Sequence, residues 1–239
     1  MQRKGRFIMI DGILGSGKST ILKTIHEWVQ TCQHKTFRLQ DWTQTQPPRF
    51  EDIAEFDVYF TYEPTRTWVG GAIRYELSQE DEPYGGEELA HAFALDRQIM
   101  YRRLILPALK AGKTIIQDRG VSTSLVYQPV MPGGLPLEAV MNLPGNRLAL
   151  EHAPDTLILT RISADVARER ILKRDDESKG VFADLAFLKK QEERFASGWF
   201  KDLFTSHGTE VLELDTSGPL EETQKQATHL INHILSTTC

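Results

Sequence analysis

Cysteine is scarce: the 239-residue chain holds two, Cys32 and Cys239. They lie far apart and fit no metal-ligand spacing, so they read as reduced thiols of a cytosolic compartment. Long apolar runs are missing as well. No stretch reaches the roughly eighteen apolar residues of a membrane helix. The segment MQRKGRFIMIDG is basic and then apolar, as a secretory signal begins, but the apolar part is too short and runs straight into a glycine loop. Positive charge is not in excess either. The net charge of -5 excludes a surface that as a whole attracts a nucleic-acid backbone, although local basic clusters remain able to bind small anions. The seven histidines form no ligand or triad spacing, and the N-K-x-D signature of GTPases is absent. Internal repeats and low-complexity tracts are absent too. These absences point to a cytoplasmic protein whose partners are small molecules, not membranes or nucleic-acid polymers.

What is present is a chain 40% hydrophobic, enough to bury a sizeable core. Short β-branched runs at 7–10, 36–39, 58–61, 114–117, 156–160 and 210–214 read as strands. Helical patterns cover 20–30, 87–109, 164–173, 183–200 and 220–235, and Ala111-Gly112 closes the longest of them. The alternation implies an α/β fold with a parallel sheet covered on both faces, in one domain spanning 1–239. Residues 41–56, 79–86 and 128–144 read as loops. The charged stretch 175–180 reads as a flap that closes over bound nucleotide.

The first strand runs directly into Gly12-Ile13-Leu14-Gly15-Ser16-Gly17-Lys18-Ser19-Thr20, which fits G-x-x-x-x-G-K-[ST]. Glycines let a backbone wrap an anion with its N–H groups inward, and the following helix turns its positive end to the same place. Gly12, Gly15, Ser16, Gly17, Lys18, Ser19 and Thr20 are therefore expected to hold the phosphates of ATP. Lys18 reaches the β- and γ-phosphates, and the Ser19 hydroxyl ligates Mg²⁺. A second acid is needed near the metal. Asp118 ends the strand at 114–117 and is expected to organise Mg²⁺ through water, with Arg119 beside it on a transferred or accepting phosphate.

Further segments fall into one order: Thr61-Tyr62-Glu63-Pro64-Thr65, Gly71-Ala72-Ile73-Arg74, Phe93-Ala94-Leu95-Asp96-Arg97, Leu106-Pro107-Ala108-Leu109-Lys110-Ala111-Gly112, Asp118-Arg119 and Tyr127-Gln128. Together they resemble the thymidylate kinases, P-loop enzymes that convert dTMP to dTDP with ATP and Mg²⁺. The resemblance runs from about residue 7 to about 200. It implies a three-layer α/β/α sandwich with a LID near 168–182, a homodimer, and substrate contacts from Glu63, Arg74, Arg97, Arg119, Thr123, Ser124 and Tyr127. By position, Arg74 faces the base, Arg97 supports the monophosphate, and Arg119 binds the acceptor phosphate. Thr123 and Ser124 contact the base, and Tyr127 lies under the sugar. Arg170 and Arg174, four residues apart, are expected to supply the cations of transfer from the LID.

Three positions depart from the family pattern. Leu14 replaces an acid in the loop that bonds the sugar 3′-OH. Tyr62 replaces an arginine before Glu-Pro. Gly120 replaces an aromatic residue or histidine. The stretch 41–56 is an insertion beside the acceptor side. The expected activity is ATP-dependent phosphorylation of a nucleoside monophosphate, dTMP first. A related P-loop kinase with another acceptor, such as a deoxynucleoside, and a nucleotide-binding protein without catalysis stay open.

Overall fold

The computed structural model describes residues 5–79, 83–173 and 184–235. In chain order these form β1 (Arg6–Asp11), α1 (Lys18–Thr31), β2 (Thr36–Arg38), β3 (Val58–Tyr62), α2 (Trp68–Ala72), α3 (Gly86–Met100) and α4 (Leu106–Lys110). There follow β4 (Thr114–Asp118), α5 (Val121–Tyr127), α6 (Leu137–Asn142), α7 (Pro144–Glu151), β5 (Thr156–Arg161), α8 (Ala164–Leu172), α9 (Leu185–Ala196), α10 (Gly198–Ser206), β6 (Glu210–Asp215) and α11 (Leu220–Leu235). All six strands are parallel, in the order β2-β3-β4-β1-β5-β6. β1 is central, and Ile10 lies opposite Asp118. The expected parallel α/β fold is therefore present.

Side chains of a strand alternate between faces, and here both faces are dry. Phe7 and Met9 of β1, Ile115 of β4 and Leu157 of β5 join one core with Tyr101, Leu125, Phe195 and Phe200. Ile8, Ile10, Ile116 and Ile158 join the other with Ile21, Ile25 and Ile231 of α1 and α11. This two-sided burial explains why the strands read as continuous apolar runs.

The long helical pattern at 87–109 is a rod that starts with α3 and ends with α4. Between them, Tyr101–Ile105 forms a wider π-type turn. Pro107 lacks the N–H that would bond the Arg103 carbonyl, which accounts for the local widening. Gly112, with φ 84, ends the rod in the left-handed conformation. Two expectations need correction. The pattern at 183–200 is two helices, because Ser197 is extended and its hydroxyl donates to the Arg194 carbonyl. The stretch 128–144 holds α6, and Pro144 opens α7 at a helix position where proline's missing N–H costs nothing.

Residues 41–56, expected as an insertion, pack on the sheet. Trp42, Phe50 and Phe56 surround Phe37 and Tyr59, and Arg103 donates to the Pro47 carbonyl at 2.6 Å. Cys32 ends α1 and is not a free thiol, so the reduced-thiol reading is corrected there. Cys239 lies outside the described residues. No described helix is long and apolar enough to cross a membrane.

α7 crosses α3 at Gly145, where an added Cβ would lie 1.7 Å from the Ala94 carbonyl oxygen. Packed backbone cannot yield by that distance. Gly145→Ala is expected to lose about 1–3 kcal/mol of unfolding free energy in denaturant titration.

Candidate active site

The site starts where β1 ends. Asp11 is fully buried, and the chain then turns through the glycine loop into α1. Gly12 has φ 145, and a Cβ there would lie 2.0 Å from Thr160 Oγ1. Gly15 has φ 79 and touches the Ala167 carbonyl of α8, 2.5 Å from where its Cβ would be. Only glycine satisfies both conditions. The Ser16 hydroxyl is 2.6 Å from Thr160 Oγ1, which in turn donates to the Asp11 carbonyl. β5 thus braces the loop from below.

Lys18 Nζ donates to the carbonyls of Gly12 at 3.0 Å and Ile13 at 2.7 Å. Gly17 precedes α1, so the positive end of that helix faces the loop. Ser19 is exposed on that turn and Thr20 is half-buried. Asp118 ends β4 next to β1. Its Oδ1 is buried and accepts no hydrogen bond among the described residues. Burial raises its carboxyl above the ordinary range, against the pull of Arg119 and Lys18. An orphaned buried carboxylate oxygen and an exposed serine hydroxyl are both oxygen donors of the kind Mg²⁺ takes, with Ser19 able to ligate the ion and Asp118 able to act through water. No cluster of three or more His, Cys, Asp or Glu side chains stands among the described residues.

The acceptor half gathers beyond β4. Arg119 has φ 63, a left-handed backbone that non-glycine residues seldom adopt. Its Nη1 lies 3.5 Å from the Gly12 carbonyl oxygen, 3.5 Å from the Tyr127 hydroxyl and 3.8 Å from Asp11 Oδ1. Burial opposes its charge, but Tyr127, Asp11 and Asp118 outweigh that and raise its pKa. Tyr127 is buried edge-on to Phe187 and Phe195. Arg74 donates to the carbonyls of Pro64 and Thr65, and its guanidinium lies 5.3 Å over the Tyr62 ring.

Other expected substrate residues sit beneath this surface. Arg97 is 1% exposed and donates to Glu63 Oε2 at 2.6 Å, to Ser124 Oγ at 2.9 Å and to Asn146 Oδ1. Gln117 donates to the other Glu63 oxygen. Thr123 donates to both carboxylate oxygens of Asp11. Glu63, Arg97 and Ser124 are thus tied to one another, and Thr123 to Asp11. Arg170 lines a cleft with Gly15, Gly17, Thr20, Thr216 and Gly218, and donates to the Thr216 carbonyl at 2.8 Å. That places it beside the loop. Arg174 and the flap at 175–180 lie outside the described residues. Sequence reasoning missed Asp11, Gln117, Asn146 and Thr216. For Asp11 a signal existed, since it ends a strand as Asp118 does.

The departures have local reasons. A Cβ at Gly120 would meet Met9 Cε at 2.4 Å, so the Met9 side chain fills the space a larger residue would need. Leu14 packs against the core, and Tyr62 serves as the face on which Arg74 stacks.

Residues 46–227 match the family model described as thymidylate kinase. A probable thymidylate kinase of Methanosarcina mazei is 31% identical over 229 residues, covering 93% of both chains. Probable thymidylate kinases of Methanococcoides burtonii and Pyrococcus abyssi are each 29% identical over 239 residues, covering 97% of this chain and 98% of theirs.

Burial pushes the Glu63 carboxyl up from 4.5 to about 7, with Arg97 holding it lower. Within that window the folded chain keeps a proton that the unfolded chain releases. Stability from this group is therefore complete below pH 4.5 and lost as pH rises to about 7. The slope is at most about 1.4 kcal/mol per pH unit. Glu63→Gln removes it, so the stability advantage of wild type over the variant should shrink across that range in unfolding titrations. Parallel pH profiles would contradict this.

Proposed function

The chain belongs to the thymidylate kinase family, and we propose that it transfers the γ-phosphoryl group of ATP to dTMP, forming dTDP. One observation carries this reading. Lys18 of the donor loop and Arg119 of the acceptor half both approach the carbonyl oxygen of Gly12, at 3.0 and 3.5 Å. A donor phosphate on the loop and an acceptor phosphate on Arg119 would meet there, which is what in-line transfer requires.

The roles follow from placement. The loop N–H groups and Lys18 hold the β- and γ-phosphates. Ser19 would hold Mg²⁺ and Asp118 would orient its water; the ion, when bound, would neutralise charge on those phosphates. Arg119 clamps the dTMP phosphate with a planar fork suited to its oxygens. That phosphate oxygen is already deprotonated near pH 7, so no general base is needed. Tyr127 lies under the sugar, with Arg74 toward the base. Arg170 and the Thr216–Gly218 turn form the cleft for the adenine of ATP. Glu63, Arg97, Ser124 and Thr123 hold the acceptor wall in place from beneath.

The reading extends to one kinase domain acting in the cytoplasm on small nucleotides and no nucleic-acid polymer. It extends also to a homodimer, supported by the exposed apolar side chains of Leu95, Trp68 and Tyr75 on neighbouring helices. Analytical ultracentrifugation at micromolar protein should give about twice the monomer mass. A monomer at those concentrations would remove the dimer from the reading.

The deciding experiment is a coupled ATP assay across dTMP, dUMP, dCMP, dGMP and the ribonucleotides. Turnover is expected with dTMP above the rest. Lys18→Ala should lower kcat about 100-fold or more, the scale of losing one preorganised donor to developing charge. Turnover with another acceptor alone would replace dTMP. Absence of turnover with every acceptor would overturn the kinase reading.

A further inference from the structure

Asp11 has no role in the reaction described above, yet it is the most heavily engaged carboxylate in the site. It is 0% exposed. Its Oδ1 accepts from the Gly12 N–H at 2.7 Å and from Thr123 Oγ1 at 2.8 Å. Its Oδ2 accepts from Ser122 Oγ at 2.5 Å and from Thr123 Oγ1 at 2.7 Å. Arg119 Nη1 lies 3.8 Å from Oδ1. A buried carboxylate is costly unless it is both paired and hydrogen-bonded. This one is both, by donors from the phosphate loop and from the stretch 119–123.

These donors join the phosphate loop to the chain that leaves β4. Gly12 opens the phosphate loop, Ser122 and Thr123 form the first turn of α5, and Arg119 is the acceptor cation. The Arg119 N–H also donates to the Ile10 carbonyl at 2.9 Å, beside Asp11 on the same strand. Backbone and side chain of Arg119 are thus both fastened to the end of β1. Without a fixed negative charge there, two cations approaching one carbonyl would repel each other. Arg119 would then swing toward solvent.

We propose that Asp11 is the positioning residue that aims Arg119 at the acceptor phosphate and sets its distance from Lys18, with Ser122 and Thr123 holding the carboxylate in place. The proposal rests on the kinase reading above. It differs from a purely structural role, in which Asp11 would only tie α5 to β1 and its loss would harm both substrates alike.

The test is a double-mutant cycle of Asp11→Asn with Arg119→Gln in the full chain. In steady-state assays with ATP and dTMP, Asp11→Asn should lower kcat/KM for dTMP at least tenfold while the KM for ATP moves less than twofold. In the Arg119→Gln background the same substitution should cost less than threefold. Equal costs in both backgrounds, or a loss confined to the KM for ATP, would overturn the proposal. Ser122→Ala removes one bond to Asp11 and keeps the charge. It should reproduce a smaller loss with the same dTMP selectivity, and this serves if Asp11→Asn fails to fold. The melting temperatures of the cycle, measured without nucleotide, separate the two readings. If wild type phosphorylates no monophosphate, the kinase reading falls. The Asp11–Arg119 pair is then judged by whether the melting losses are additive, which would overturn it, or coupled, which would uphold it.

Discussion

One carbonyl oxygen organises this molecule. Gly12 O accepts from Lys18 of α1 and lies 3.5 Å from Nη1 of Arg119, just past β4. Its position depends on a backbone turn that a side chain would block, because Thr160 of β5 occupies the space. The order β4-β1-β5 is what supplies that neighbour. Opposite it, β4 brings Asp118 alongside Ile10. The central strand and its two parallel partners therefore bring together three chain segments that are remote in sequence. Crevices at the carboxyl ends of parallel strands bind ligands for this reason.

Holding several charges in that small space sets the character of the surroundings. Three carboxylates, Asp11, Glu63 and Asp96, are buried; the first two each face a guanidinium, and Asp96 accepts from Thr65. Neither pair is an isolated ion pair. Glu63 meets Arg97 and Gln117, and Arg97 continues to Ser124 and Asn146. Such networks stiffen a site only when every donor finds an acceptor. The buried Oδ1 of Asp118 has no partner among the described residues, and neither has Gln128 Oε1, whose amide nitrogen donates to Ser124.

The departures from the family pattern are absorbed by neighbours. Met9 rises beneath Gly120, and a larger residue at either place would collide with the other. Tyr62 offers a ring to Arg74, which also spans the carbonyls of Pro64 and Thr65. Residues 41–56 contribute aromatic rings to the sheet edge and a carbonyl to Arg103. Each change is compensated by packing, which preserves the wall while altering what lines it.

Much was legible before any fold was known. The glycine loop, the strand-end Asp118 and the alternation of strands with helices follow from short-range patterns: φ freedom, apolar runs and period. The same patterns misjudged the helix break at Ser197 and the two helices that proline introduces near 136 and 144, since local signals serve both loops and first turns. Residue spacing placed Lys18 at the start of a helix against the glycine loop, because loop and helix are contiguous. It could not determine that Thr123 turns to Asp11, 112 positions away, or that Arg97 turns to Glu63, 34 away. Those partners are selected by strand order and helix crossing, which bring together groups that no local pattern relates. A buried charge takes whatever donor the fold sets within about 3 Å, and only the tertiary structure decides which one that is.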